Sequence, residues 1–238
     1  MKIGGIQKVS LIDFPGKISC VLFTQGCNFC CSFCHNESLV LPEKFGLPMD
    51  EHEIFNFLNA KKGKIEAVVV SGGEPTLQSD LEDFLKKIKE LGFLIKLDTN
   101  GSRPEILDSL YKAKALDYVA MDIKHRFDRY AEIANVSVNM DKIKRSVDLI
   151  KNSEVDYEFR TTVVPAFHTS YDIRSIIFQL SGAKRFVLQE FIPEHAMNKN
   201  LNDGDSIFAL HNKIVLNDII NFSKSHIEEC KIRVANWV

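Results

Sequence analysis

An α/β fold on a largely parallel sheet is what this sequence predicts, and three observations carry the prediction. Six short runs are almost continuously apolar, as strands covered on both faces must be. Each is followed by a stretch whose apolar residues recur at helical spacing. The composition, 45% hydrophobic and 26% charged over 238 residues, is that of a chain able to bury a core, which excludes intrinsic disorder. With 30 basic against 32 acidic residues the formal charge is −2, so no nucleic-acid partner is expected. No apolar run approaches the ~20 residues of a membrane span, and no membrane association is expected. The opening Met1-Lys2-Ile3-Gly4-Gly5 lacks the apolar stretch of a signal peptide, which predicts a cytoplasmic protein. No Pro-, Gly- or Ser-rich linker interrupts the chain, so residues 1–238 read as a single domain.

In chain order, the first strand is expected over 19–24 (SCVLFT), and Ile54, Phe57 and Leu58 mark the first helix. The second strand is 67–71 (AVVVS). Ser79-Asp80-Leu81-Glu82 then reads as a capping box, followed by an apolar stripe of Leu81, Phe84, Leu85, Ile88 and Leu91 and a stop at Gly92. After a strand at 93–97 (FLIKL), Pro104 opens a helix with Ile106, Leu107 and Leu110 on its apolar side. The fourth strand is 117–121 (DYVAM), with a helix marked by Ile143, Val147 and Ile150. The fifth is 157–164 (YEFRTTVV), before a helix carrying Ile173, Ile176, Ile177 and Leu180. The sixth is 185–189 (RFVLQ), and 206–222 reads as a long final helix. Right-handed crossovers wind such units into a doubly wound sheet or into a barrel, which with six units is partial and open on one side. In both, chemistry belongs at the C-terminal ends of the strands.

Four of the six cysteines fall in Cys27-Asn28-Phe29-Cys30-Cys31-Ser32-Phe33-Cys34, directly after the first strand. Crowding into one loop argues for metal binding rather than for a disulfide framework. Two adjacent Cys-x2-Cys pairs could hold zinc, but they lack the spacer that lets pairs approach a tetrahedral ion from opposite sides. The other parsing, Cys27-x3-Cys31-x2-Cys34, leaves Cys30 as a small buried bystander and supplies three thiolates to a four-iron cluster whose remaining iron stays open.

That spacing, with aromatic Phe33 before the last cysteine, resembles the signature of the radical S-adenosylmethionine (SAM) enzymes. The flanking Ser10-Leu11-Ile12-Asp13-Phe14-Pro15-Gly16 and Cys34-His35-Asn36 are similar to the activating enzymes of glycyl-radical enzymes. The likeness is to the activating proteins of anaerobic ribonucleoside-triphosphate reductase and of pyruvate formate-lyase, and it is strongest over residues 1–124. The resemblance implies a partial (β/α)6 barrel. It implies a [4Fe–4S] cluster on Cys27, Cys31 and Cys34, with Phe33 beside the cofactor. It implies reductive cleavage of SAM to a 5′-deoxyadenosyl radical that takes hydrogen from a glycine of the partner, fed by a flavodoxin or ferredoxin-type donor. No side chain is then needed as catalytic acid or base. The absence of cysteine from 40 to 70 and the lone Cys230 argue against additional clusters. A radical SAM enzyme acting on a small molecule is the other enzymatic reading, and an iron–sulfur electron carrier the non-enzymatic one.

The remaining strand ends carry further candidates. Gly72-Gly73-Glu74 could be an ordinary turn, but it resembles the motif that meets the methionine ammonium of SAM. Asp98 and Asp122 end adjacent strands, and two converging carboxylates need a cation, a proton or an ammonium group between them. The resemblance implies a monovalent cation there, with carbonyls at Thr99 and Ala120. Arg160, inside an apolar strand, reads as a structural ion pair or, by resemblance, as the group that meets the SAM carboxylate. His195 falls where these activating enzymes place a SAM-contacting histidine, although Glu194 stands where an aromatic is expected.

Overall fold

The computed structural model describes residues 1–198, 201, 207–208 and 212–234. One sheet carries eight strands in unbroken chain order: β1 (Ile3–Phe14), β2 (Lys17–Thr24), β3 (Ala67–Gly72), β4 (Leu94–Thr99), β5 (Tyr118–Asp122), β6 (Asp156–Val163), β7 (Arg185–Glu190) and β8 (Glu229–Arg233). From β2 to β8 every neighbouring pair is parallel. The order never reverses, so the sheet winds in one direction as a barrel does and not as a doubly wound sheet. Among the described residues no pairing joins β8 to β1, and the barrel stays open there.

The helices between strands are α1 (Glu37–Val40), α2 (Glu51–Lys61), α3 (Leu81–Glu90), α4 (Pro104–Lys112), α5 (Tyr130–Ala134), α6 (Met140–Lys151), α7 (Ser170–Gln179) and α8 (Lys213–Ser223). Same-hand crossovers place them on one face of the sheet. Cys20, Leu22, Val68 and Val70 belong to the large core under that face, with Leu85 and Ile88 of α3 and Ile143 of α6. The alternate residues Val21, Ala67 and Val69 form a separate small cluster with Phe14 and Tyr118 on the other face. Higher on that inner face stand polar residues, among them Lys96, Asp98, Asp122, Glu158 and Arg160, and this is why β4 and β6 read as interrupted apolar runs.

Two strands carry no clear signal in the sequence. β1 is an antiparallel edge strand, turned into β2 at Pro15-Gly16 with Gly16 at φ 70° and largely exposed along its middle. Exposure on both sides of an edge erases the hydrophobic alternation that marks a strand. β8 is short and charged, as edge strands tend to be. The capping box at Ser79 is absent: α3 starts after Asp80, and the Met1 ammonium takes the Asp80 carboxylate that could otherwise cap it. The final helix covers Lys213–Ser223; of the expected 206–222, residues 206 and 209–211 lie outside the described residues. Cys30 is half-buried rather than buried. Among the described residues no helix is long and apolar enough to cross a membrane.

Candidate active site

Between β2 and α1 the cysteine loop crosses the C-terminal ends of the strands, and backbone and side-chain hydrogen bonds tie it to four neighbours. Gly73 and Glu74 amides donate to the Thr24 and Gly26 carbonyls, both at 2.8 Å. The Asn100 amide group donates to Asn28 Oδ1 at 2.9 Å, which ties the loop to the end of β4. The Cys30 amide donates to Ala134 O of α5 at 2.9 Å, and Phe29 packs edge-on against Tyr130. The Met197 and Asn198 amides donate back to Cys34 O and Ser32 O after β7. Two glycines make the first contact possible: Gly72 has φ 109°, and a Cβ on Gly73 would lie 2.1 Å from Gly26 O.

One cavity opens over this loop. Cys27, Cys31, Cys34 and Phe33 line it from the loop, Gly72, Gly73 and Glu74 from β3, Asp98 from β4, Asp122 from β5 and Arg160 from β6. Cys30 does not line it. The structure thus brings together every expected site residue except His195, whose backbone closes a short turn at Pro193–His195 while its side chain lies outside the described residues. All six cysteines are free thiols. Among the described residues no three His, Cys, Asp or Glu side chains are grouped so as to hold a metal ion. Three thiols that line one cavity suit a cluster in which each binds a different iron. Burial pushes the Cys27 thiol up to about 12 and Cys31 to about 11, and raises Cys34; for each of them the Lys124 charge pulls the other way.

Glu74 is buried, and its carboxylate accepts four hydrogen bonds: Oε1 from Thr76 N, Thr76 Oγ1 and Thr99 Oγ1, and Oε2 from Asn100 N at 2.6 Å. Burial raises its pKa against these donors. Glu74 therefore locks the ends of β3 and β4 together as well as facing the cavity.

Between Asp98 and Asp122 stands the Arg160 guanidinium, a cation of the kind that two converging carboxylates need. Arg160 Nε donates to Asp122 Oδ1 at 2.8 Å and Nη1 to Asp98 Oδ2 at 3.2 Å. Lys124 Nζ takes Asp122 Oδ2 at 3.0 Å, and Lys96 Nζ lies 3.1 Å from Asp98 Oδ1. Both Asp122 oxygens and Asp98 Oδ2 accept a hydrogen bond from a protein cation, whereas the buried Asp98 Oδ1 faces Lys96 without a hydrogen bond of its own. Burial alone would raise both carboxyls, but Arg160 with Lys96 holds Asp98 below the usual range, and Arg160 with Lys124 holds Asp122 far below it. Both readings of Arg160 are compatible: it forms the structural pairs and still lines the cavity.

Lys124 is the site residue that the sequence does not single out. It lines the cavity and sits 5.8 Å over the Phe33 ring. Burial opposes its charge, yet the Asp122 carboxylate and the nearby thiols raise its pKa overall. A lysine two residues after a strand-ending aspartate is the available signal. Lys96, Arg160 and Lys124 thus offset the buried charge of Asp98 and Asp122.

A buried histidine pair holds the Lys124 segment in place. His125 and His168 stack with ring centroids 4.8 Å apart. Backbone amides donate to Nδ1 of each, from Arg126 at 2.8 Å and Val164 at 3.0 Å, so each Nε2 carries the proton. His125 Nε2 then donates to Phe167 O and His168 Nε2 to Lys124 O at 2.9 Å. Burial, with the neighbouring His125, pushes His168 down to about 4 and also lowers His125. A histidine depressed on folding contributes stability that is complete above its unfolded pKa of ~6.5 and is lost as pH falls toward the folded value. Urea unfolding is therefore expected to show about 2 kcal/mol less stability from His168 at pH 5 than at pH 7. His168→Gln should flatten that slope, and an equal slope in both proteins would contradict the assignment.

Residues 21–172 match the model of the Radical SAM superfamily. A protein of Methanocaldococcus jannaschii, named as a glycyl-radical enzyme activating enzyme, is 36% identical over 98% of this chain and 96% of its own length. The pyruvate formate-lyase-activating enzyme of Clostridium pasteurianum is 31% identical over 84% of both chains. Among solved structures, SuiB of Streptococcus suis bound to its precursor peptide SuiA superposes with a TM-score of 0.68 at 15% identity. It covers 89% of this chain, which spans about half (47%) of SuiB, and at that identity the likeness is one of fold.

Proposed function

This chain belongs to the radical SAM superfamily, among the activating enzymes of glycyl-radical enzymes, and from that premise we propose that it activates an anaerobic ribonucleoside-triphosphate reductase in the cytoplasm. The observation that carries the reading is the single cavity shared by the three cysteines, Glu74 and the Asp98–Arg160–Asp122 set. Cys27, Cys31 and Cys34 would hold the [4Fe–4S] cluster. When bound, cluster and SAM together supply a one-electron cleavage that ends in removal of a hydrogen atom from a glycine of the protein substrate.

The chain's own residues bind and orient. Glu74 offers a carboxylate to an ammonium group, and its four donors fix the angle at which it does so. Arg160 presents N–H groups to a carboxylate from the opposite wall, a geometry that guanidinium suits. Phe33 and Phe29, both buried, shield the loop from water. Lys124 sets a positive charge beside the thiols and so favours their ionised form. His195 would reach SAM from the turn after β7. No side chain needs to carry a proton, and a flavodoxin or ferredoxin-type protein would supply the electron.

The likeness to the Clostridium pasteurianum enzyme supports a second reading, in which the partner is of pyruvate formate-lyase type. The test is to reconstitute the protein anaerobically, reduce it with dithionite and measure conversion of SAM to 5′-deoxyadenosine, with EPR after adding each partner in turn. A glycyl-radical signal on the reductase alone is expected. A signal on the lyase alone would favour the second reading, and well-reconstituted protein that cleaves no SAM would refute both.

A further inference from the structure

One part of the sequence signature finds no use in the site itself: the segment Ser10 to Gly16. In the structure it forms the far end of the β1–β2 hairpin, and a buried lysine connects it to the cavity. Lys96 is 1% exposed in the middle of β4, on the inner face. Its Nζ donates to the Asp13 carbonyl at 2.5 Å, lies 3.1 Å from Asp98 Oδ1, and stands 5.8 Å over the Tyr118 ring of β5. The Asp13 carbonyl is itself held by a tight turn. Ser10 Oγ accepts from the Ile12 and Asp13 amides at 3.2 and 3.1 Å and donates to Asp13 Oδ2 at 2.5 Å.

The consequence concerns Arg160. Asp98 has two oxygens, and Oδ2 is shared by Arg160 Nη1 and the Ser71 hydroxyl. With Lys96 at ion-pair distance from Oδ1, though not hydrogen-bonded to it, Arg160 meets Asp98 through one N–H and Asp122 through another. A guanidinium has five N–H groups, so three remain for a ligand. Without Lys96, a buried Asp98 would draw in the nearest remaining cation, and a bidentate pair with Arg160 is the strongest one available.

Resting on the radical SAM reading above, we infer that Lys96, anchored on the Asp13 carbonyl, is a positioning residue that keeps Arg160 free to receive the carboxylate of SAM. The segment Ser10 to Gly16 thereby acts on cofactor binding from the opposite end of the sheet. Lys96 touches no reacting atom and needs no proton transfer.

The test compares dissociation constants of the cluster-loaded protein for SAM and for decarboxylated SAM, which lacks the group Arg160 would meet. In Lys96→Met the preference for SAM should fall about tenfold, the size expected for losing a charge-assisted hydrogen bond. Lys96→Met/Asp98→Asn removes the carboxylate that would capture Arg160, so the preference should return to within about threefold of wild type. This double variant also carries the test if Lys96→Met alone does not fold. A Lys96→Met protein with the wild-type preference would overturn the inference, and so would one that loses both ligands equally. A double variant as indifferent to the carboxylate as the single is expected to be would overturn it too. Wild-type protein that binds no SAM would instead sink the parent reading.

Discussion

Cys31→Ala is expected to abolish both cluster assembly and SAM cleavage, leaving iron content and 5′-deoxyadenosine at background, whereas Cys30→Ala should retain both. The adjacent thiols differ in where they face. Cys31 is 6% exposed and lines the cavity with Cys27 and Cys34, while Cys30 lies outside it with its backbone fastened to α5. Burial holds the Cys31 thiol near 11, so ionisation there calls for a strong local positive charge. A metal cluster and Lys124 are the sources the geometry offers. Removing Cys31 leaves two thiols on the wall, fewer than a site-differentiated cluster needs. The paired measurement separates the two parsings of the loop, because a four-thiolate zinc site would lose its metal in either variant. A Cys31→Ala protein that still assembles the cluster and cleaves SAM, or a Cys30→Ala protein equally inactive, would refute the assignment.

Gly73→Ala is expected to destabilise the fold by about 2–4 kcal/mol and to lower cluster occupancy in the folded protein. The added Cβ would sit 2.1 Å from the Gly26 carbonyl oxygen and 2.7 Å from its carbon, and neither can rotate away. Relief requires β3 and the cysteine loop to separate. That breaks the Gly73-to-Thr24 and Glu74-to-Gly26 hydrogen bonds and shifts Glu74 within its network. Gly5→Ala is the comparison, since a Cβ there meets no heavy atom within 4 Å. Its change should stay within about 0.5 kcal/mol. Chemical unfolding and iron content measured on both variants decide the matter, and a Gly73→Ala protein as stable as Gly5→Ala would contradict the account.

Particular residues show why parts of this fold are legible in the amino-acid sequence and others are not. Gly92 ends α3 with φ 91° and Pro104 opens α4, because both act through their own backbone geometry. The capping box expected at Ser79 does not form because α3 starts one residue later, after Asp80, and the Glu82 carboxylate accepts from Lys86 and from Ser109, 27 positions away. β1 carries apolar residues in no regular alternation, with Val9, Leu11 and Ile12 exposed, and β8 is short and charged, because edge strands need not bury one face. At the site, Asp98 and Asp122 are recognisable as converging carboxylates, since strand order places them side by side. That Arg160 stands between them, with Lys96 and Lys124 outside, depends on register: Asp122 pairs with Arg160 and Lys96 with Tyr118 across neighbouring strands.

By itself the sequence determined the strand–helix alternation, the cysteine spacing and the rule that each motif follows a strand, because these depend on local period and covalent distance. The tertiary structure alone decided how the cysteine loop is fastened, to Gly73, Glu74, Asn100, Ala134 and the turn after β7. It alone decided that a guanidinium stands between Asp98 and Asp122, and that Lys96 links the Ser10 to Gly16 turn to the site. Those outcomes rest on long-range contacts of buried charges, whose energy depends on every neighbour that burial brings within a few ångströms.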